Sequence, residues 1–158
     1  VRAHLASEFE QRGVDPARLR FANARPNADY LALYRAADLF LDTWPYNAHT
    51  TASDALWMGC PVLGIAGTSF AGRVGASLLG AVGQPQLVMP DRATYVKRGA
   101  QLATDPRLLG AVRAQLAAAL PTAPLFDTAA TTRALERAYL AMAEQARQGV
   151  RGPIDVSA

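Results

Sequence analysis

Four short apolar runs, Leu19-Arg20-Phe21-Ala22, Leu39-Phe40-Leu41-Asp42, Val62-Leu63-Gly64-Ile65 and Gln86-Leu87-Val88-Met89, alternate with segments of helical period. Their starts lie roughly 20 residues apart, which leaves room for a turn, a helix and a second turn. That is the spacing of right-handed crossover units on a parallel sheet. The run at 62–65 is apolar throughout, as a strand covered on both faces requires. The order helix, strand, repeated four times, predicts an incomplete doubly wound α/β domain, since complete examples carry more strands and a glycine-rich first unit.

The helices between the runs carry their own start and stop signals. Leu5, Phe9 and Val14 mark a first helix that Gly13 stops, and Asp29 is a candidate cap for a second helix reaching about Ala37. A third runs from about Thr51 to Met58, ended by Gly59 and Pro61. A fourth carries Phe70, Val74, Leu78 and Leu79, with Ala71, Gly72, Gly75 and Ala76 permitting close approach to a sheet. Beyond Pro90 only helices are expected: one capped by Asp91, one opened by Asp105-Pro106, and a last one begun by Asp127 or Thr128. The folded region is expected to span residues 1–148, with residues 149–158 a flexible tail lacking any periodic pattern.

Composition narrows the function. A hydrophobic fraction of 51% in 158 residues supports a packed core, and 16 basic against 13 acidic residues give only a modest positive charge. Fifteen of the basic residues are arginines, scattered among acidic ones from Arg2 to Arg151, which argues against a nucleic-acid track. The single cysteine, Cys60, excludes an internal disulfide and sits among apolar neighbours, where an inert buried thiol is expected. Only two histidines occur, and His4 stands apart from any cluster, so no metal site is expected. No apolar stretch reaches membrane-spanning length and no secretory leader opens the chain, which predicts a cytoplasmic setting. The first residues already read as mid-helix and lack an initiator methionine, so a preceding segment is expected.

The chemistry concentrates after the second apolar run, in Asp42-Thr43-Trp44-Pro45-Tyr46-Asn47-Ala48-His49-Thr50-Thr51-Ala52-Ser53-Asp54. A polar turn that feeds a helix start offers unpaired amide protons, two threonine hydroxyls and an imidazole, a donor set suited to phosphate. Asp54 would repel phosphate but accepts well from a pair of sugar hydroxyls, so a ligand joining ribose to a diphosphate would satisfy both features. A second reading stands beside this one: Thr51 and Asp54 have capping-box spacing, which would make both structural. Asp42 closes a strand, where it can meet a ligand or bind the amides of its own turn. Arg73 could reach a phosphate from the next βα loop or pair with Asp54 or Asp42. Trp44, Tyr46 and Trp57 are expected to pack rather than to stack on a ligand. No Gly-x-Gly-x-x-Gly, Walker-type or Gly-x-Ser-x-Gly pattern occurs, which removes the usual signatures for NAD, P-loop ATP use and nucleophilic-elbow hydrolysis.

The block from Ala37 to Thr43, the run Tyr46 to Trp57 and Gly59-Cys60-Pro61-Val62 resemble the C-terminal catalytic region of O-linked N-acetylglucosamine transferases and their bacterial relatives. Ser69-Phe70-Ala71-Gly72-Arg73-Val74 and Pro124-Leu125-Phe126-Asp127-Thr128 extend the resemblance to roughly residues 1–148. It implies the Rossmann-like C-terminal lobe of a two-lobed GT-B enzyme that transfers N-acetylglucosamine from UDP-GlcNAc to protein Ser/Thr hydroxyls, with inversion and no required metal. By the same resemblance His49, Thr50 and Thr51 would contact the donor diphosphate and Asp54 the ribose. Where the family commonly has a histidine over the uracil and an arginine one helical turn later, this chain has Tyr30, which could stack on the base, and Leu33, which supplies no cation. The family's catalytic groups and its diphosphate lysine lie in segments that would precede residue 1, so no catalytic residue is expected here. The implied partners are the UDP-sugar, a protein or peptide acceptor, an upstream lobe and tetratricopeptide repeats, with neither nucleic acid nor membrane. Another GT-B nucleotide-sugar enzyme, such as an epimerase, and a noncatalytic interaction module are the competing expectations.

Overall fold

In the computed structural model, which describes residues 1–155, the chain forms two compact units, residues 1–30 and residues 31–158. The first contains α1 (Arg2–Gln11), a short 3-10 turn (Pro16–Arg18) and the start of α2 (Asn27–Leu33). The end of α1 is tied by Gly13 N–H to Glu10 O and Val14 N–H to Phe9 O, so the stop expected at Gly13 is observed. Residues 19–22 are not a strand, contrary to their apolar reading. A strand exists only through a ladder to a neighbour, and these residues have none; the Arg2 guanidinium instead lies 5.1 Å from the centre of the Phe21 ring and donates to Asn23 Oδ1. The second helix also begins two residues before the expected Asp29 cap, which places Asp29 in its first turn.

The second unit holds a three-stranded parallel sheet in the order β1 (Phe40–Leu41), β2 (Val62–Ile65), β3 (Val88–Met89). Strand β2 has the predicted limits, whereas β1 and β3 each keep only the two residues that find partners on it. Between the strands run α3 (Thr50–Trp57) and α4 (Phe70–Ala81), and after β3 follow α5 (Arg92–Thr104), α6 (Pro106–Ala119) and α7 (Thr128–Gln148). The side chains of Ser69, Asp91, Asp105 and Asp127 accept amide protons from the first turns of α4, α5, α6 and α7. At the end of α3, Gly59 takes φ +77°, a left-handed turn that lets Cys60 N–H return to Ala55 O before β2 begins.

Helices cover both faces of the sheet. Leu63 lies under Gly99 of α5, where an added Cβ would meet Leu63 Cδ2 at 3.5 Å. The next residue of β2, Gly64, turns to the opposite face and borders the Asp42 carboxylate, which also lies against Gly75 of α4. Leu56, Leu63, Leu79, Leu87, Leu102 and Leu116 are fully buried in one core, each stabilising the fold by about 1.5–3 kcal/mol through apolar burial. Gln84, also fully buried, donates to Val112 O of α6. Cys60 is buried as expected, and burial pushes its thiol up, outweighing the influence of Arg113. Among the described residues no helix is long and apolar enough to cross a membrane.

The tightest constraint is at Gly75, where a methyl group would come within 2.7 Å of Asp42 Oδ2 and 3.3 Å of Asn47 Oδ1. Gly75→Ala is expected to destabilise the domain by about 2 kcal/mol, because those oxygens are held by the turn and have no room to withdraw. Urea unfolding with an unchanged m-value measures it.

Candidate functional site

The carboxyl ends of β1 and β2 open onto the turn at residues 43–49, the location at which parallel α/β sheets expose loops to ligands. Asp42 follows β1 directly and is 4% exposed. Its Oδ1 accepts from the backbone N–H of both Thr43 and Ala48, each at 2.7 Å, so one oxygen clasps the two ends of the turn. This is the own-turn role among the two expected for Asp42. Burial raises its carboxyl above the ordinary carboxylate range, against the lowering influence of those two amides and of His49. Its backbone carbonyl accepts the Tyr95 hydroxyl from α5 at 3.0 Å. Burial, and secondarily the charge of Asp42, push the Tyr95 phenol up.

Asn47 is the site residue that sequence reading missed. It is 1% exposed, and its Nδ2 donates to Thr43 O (2.9 Å) and Ile65 O (3.4 Å), which joins the turn to the end of β2. Its own N–H reaches Ala71 O at the start of α4. Polar residues in turns are normally solvated, so only the small residue facing it, Gly75 of α4, hinted that this one would be covered.

The helix α3 begins at Thr50 with His49 as N-cap, and the first intrahelical bond is Ser53 N–H to His49 O. Thr51 is therefore already inside the first turn, and the capping box expected with Asp54 does not form. The cause is the Asp42 clasp: Ala48 is fixed by its amide, and the helix starts at once after it. The amides of Thr50, Thr51 and Ala52 precede that first bond and point out of the helix start, beside the exposed Thr50 and Thr51 side chains. The structure thus brings His49, Thr50 and Thr51 together, with the half-buried Asp54 one turn further along the same helix. Tyr30 belongs to the other compact unit, as its last residue.

His49 supplies no capping bond. Its ring is stacked on Tyr46 (centroids 5.3 Å apart, 13° between planes) and meets Phe70 edge-on at 6.0 Å, while Nε2 is enclosed with no hydrogen-bond partner. Tyr46 is 66% exposed and packs flat over the imidazole. Trp44 and Trp57 are also about half exposed; Trp57 packs edge-on to Phe126. Arg73 donates to Thr68 O within its own loop, not to Asp42. A cleft of about 320 Å³ lies on the α5 side of Asp42, lined by Trp44, Ile65, Arg92, Tyr95 and Val96. Among the described residues, no group of three or more His, Cys, Asp or Glu is arranged to hold a metal ion.

The chain matches glycosyl transferase family 41 over residues 2–135. A probable UDP-N-acetylglucosamine–peptide N-acetylglucosaminyltransferase SPINDLY of Solanum lycopersicum is 36% identical over 143 residues, 90% of this chain and 15% of that protein. A UDP-N-acetylglucosamine–peptide N-acetylglucosaminyltransferase of Caenorhabditis elegans is 37% identical over 124 residues, 78% of this chain and 11% of that protein. Among solved structures, a mutant O-GlcNAc transferase of Thermobaculum terrenum is similar with a TM-score of 0.86 at 36% identity, over 94% of this chain and 28% of that one. The chain therefore spans only a small part of the length of each relative.

Because His49 rather than Thr51 occupies the N-cap position of α3, Thr51→Ala should change unfolding free energy by less than about 0.5 kcal/mol. Asp105→Ala, which removes an acceptor shared by two amides at the start of α6, should cost about 1 kcal/mol in the same denaturation series.

Proposed function

The chain belongs to glycosyl transferase family 41 and has the incomplete Rossmann-like sheet of a GT-B lobe, and from that premise we propose that residues 1–148 are the donor-binding part of a glycosyltransferase using UDP-GlcNAc. The observation that carries this reading is the start of α3, where unpaired amides, the Thr50 and Thr51 side chains and an imidazole nitrogen without a partner occur together at the carboxyl end of the sheet. A diphosphate there receives backbone and hydroxyl donors and completes the hydrogen bonding of His49. Asp54, one turn on, accepts from the ribose hydroxyls.

Cleavage of the sugar–phosphate bond leaves negative charge on UDP. Donors fixed in place before the reaction stabilise that charge without reorganising, which is how such a lobe promotes departure of the leaving group without a metal ion. The sugar passes with inversion to a serine or threonine hydroxyl of a protein acceptor. Acceptor activation comes from an upstream lobe, and tetratricopeptide repeats in the longer protein help to bind the acceptor. This chain by itself therefore holds the donor and catalyses little.

Isothermal titration of the chain with UDP and with uridine tests the assignment. His49→Ala is expected to weaken UDP about tenfold and uridine by less than about twofold, the loss of one charge-assisted phosphate bond. Asp54→Ala should weaken both ligands alike. Equal losses of UDP and uridine in His49→Ala would move the phosphate site elsewhere, and absence of UDP binding by the parent chain would favour a noncatalytic module, the reading to which Tyr30 and Leu33 lend support.

A further inference from the structure

Two buried oxygen atoms beside β1 lack a donor, Asp42 Oδ2 and Asn47 Oδ1. Both face the same point on α4: a Cβ on Gly75 would lie 2.7 Å from the first and 3.3 Å from the second. Neither oxygen is free to turn away. Asp42 Oδ1 is held by the amides of Thr43 and Ala48, which sends Oδ2 toward Gly64 and Gly75. Asn47 Nδ2 donates to two carbonyls, Thr43 O and Ile65 O, and a flipped amide would set its oxygen against both. Two acceptors crowded against one glycine α-carbon repel each other unless a donor lies between them, and leaving both unsatisfied is costly. A neutral carboxyl group supplies the donor that Asn47 Oδ1 lacks.

We propose that Asp42 is a neutral carboxylic acid whose Oδ2–H donates to Asn47 Oδ1, and that this shared proton positions the turn at residues 43–48 and, through it, His49. The positioning role rests on the reading of His49 as a diphosphate ligand; the protonation does not. The pair joins β1, the turn, the end of β2 and the start of α4, because Asn47 also bonds Ile65 O and Ala71 O. Four groups face it: His49 from the start of α3, Arg92 and Tyr95 from α5, and Gly75 from α4, of which only the first three carry or acquire charge. The Tyr95 hydroxyl is committed to the Asp42 backbone carbonyl. Burial raises the Asp42 carboxyl, as a neutral acid requires. A carboxyl raised on folding stabilises the fold fully below its unfolded value, about 3.9, and that stability is lost as pH rises through the folded value.

Asn at position 42 keeps the Oδ1 acceptor and places an N–H where the O–H is proposed, so Asp42→Asn and Asp42→Ala in the 158-residue chain separate a neutral from a charged carboxyl. Asp42→Asn is expected to stay within about 3 °C of the parent melting temperature and to flatten its decline as pH rises above the ordinary carboxylate range, whereas Asp42→Ala falls by at least about 8 °C. The parent-minus-Asp42→Asn infrared difference spectrum should show a protonated-carboxyl band at a pH where ordinary carboxylates are ionised. UDP affinity should fall about tenfold or more in Asp42→Ala and return to within about threefold of the parent in Asp42→Asn, with uridine nearly unaffected in both. An Asp42→Asn chain as unstable as Asp42→Ala, with no protonated band, would overturn the proposal. Should Asp42→Asn fail to fold, the band in parent protein carrying isotopically labelled aspartate decides alone. A band and a flattened pH profile without any UDP binding would leave the shared proton standing and remove the diphosphate reading.

Discussion

The clasp of Asp42 Oδ1 on the amides of Thr43 and Ala48 is the interaction on which the rest of this lobe depends. A chain leaving β1 could enter α3 at several points, and the helix start would then wander by a residue or more. By fixing the first and last amides of the turn with one oxygen, the carboxyl group sets where helical geometry begins, so that His49 is the cap and Thr50 and Thr51 occupy the first turn. Requirements elsewhere follow. Gly75 must lack a side chain because the other carboxyl oxygen lies against it, and Tyr95 of α5 is oriented by the Asp42 backbone carbonyl.

That arrangement also explains why a buried polar cluster is retained next to an apolar core. Leu56, Leu63 and Leu79 would tolerate exchange with other hydrophobic residues of similar volume, whereas Asp42 and Asn47 each satisfy backbone groups that no apolar side chain could. Asn47 donates to carbonyls on both sides of the turn and offers its own amide to Ala71, so the turn, the end of β2 and the first turn of α4 move together or not at all. Stability here is tied to register rather than to apolar area.

Much of this was legible in the sequence where a local rule suffices. The strand at 62–65 and the caps Asp91, Asp105 and Asp127 follow from apolar runs and from carboxylates placed before helical periods, and each is observed. The misses have a common cause, dependence on a partner distant in sequence. Residues 19–22 have strand composition without a ladder, and β1 and β3 shrink to the residues that β2 can pair. Thr51 and Asp54 have the spacing of a capping box, but the helix start is dictated by Asp42, and that information lies outside any local window. Asn47 reads as a solvated turn residue until Gly75 of α4 is folded against it.

The geometry also separates holding a leaving group from activating an acceptor. The start of α3 is rich in donors, and its acidic side chains, Asp42 and Asp54, are respectively buried beneath the turn and one turn along the helix. Activating an acceptor hydroxyl needs a base within hydrogen-bond reach of the attacking oxygen. Asp42 is covered, with one oxygen bound to two amides, so it has no path to an incoming hydroxyl. His49 is stacked between Tyr46 and Phe70 at the helix start, on the side suited to negative charge. A base positioned there would compete with the proposed diphosphate for the same donors. On the proposed reading, a division of labour follows from this electrostatic conflict: donors that favour charge on departing UDP belong on one surface, and the group that removes a proton from the acceptor belongs on another.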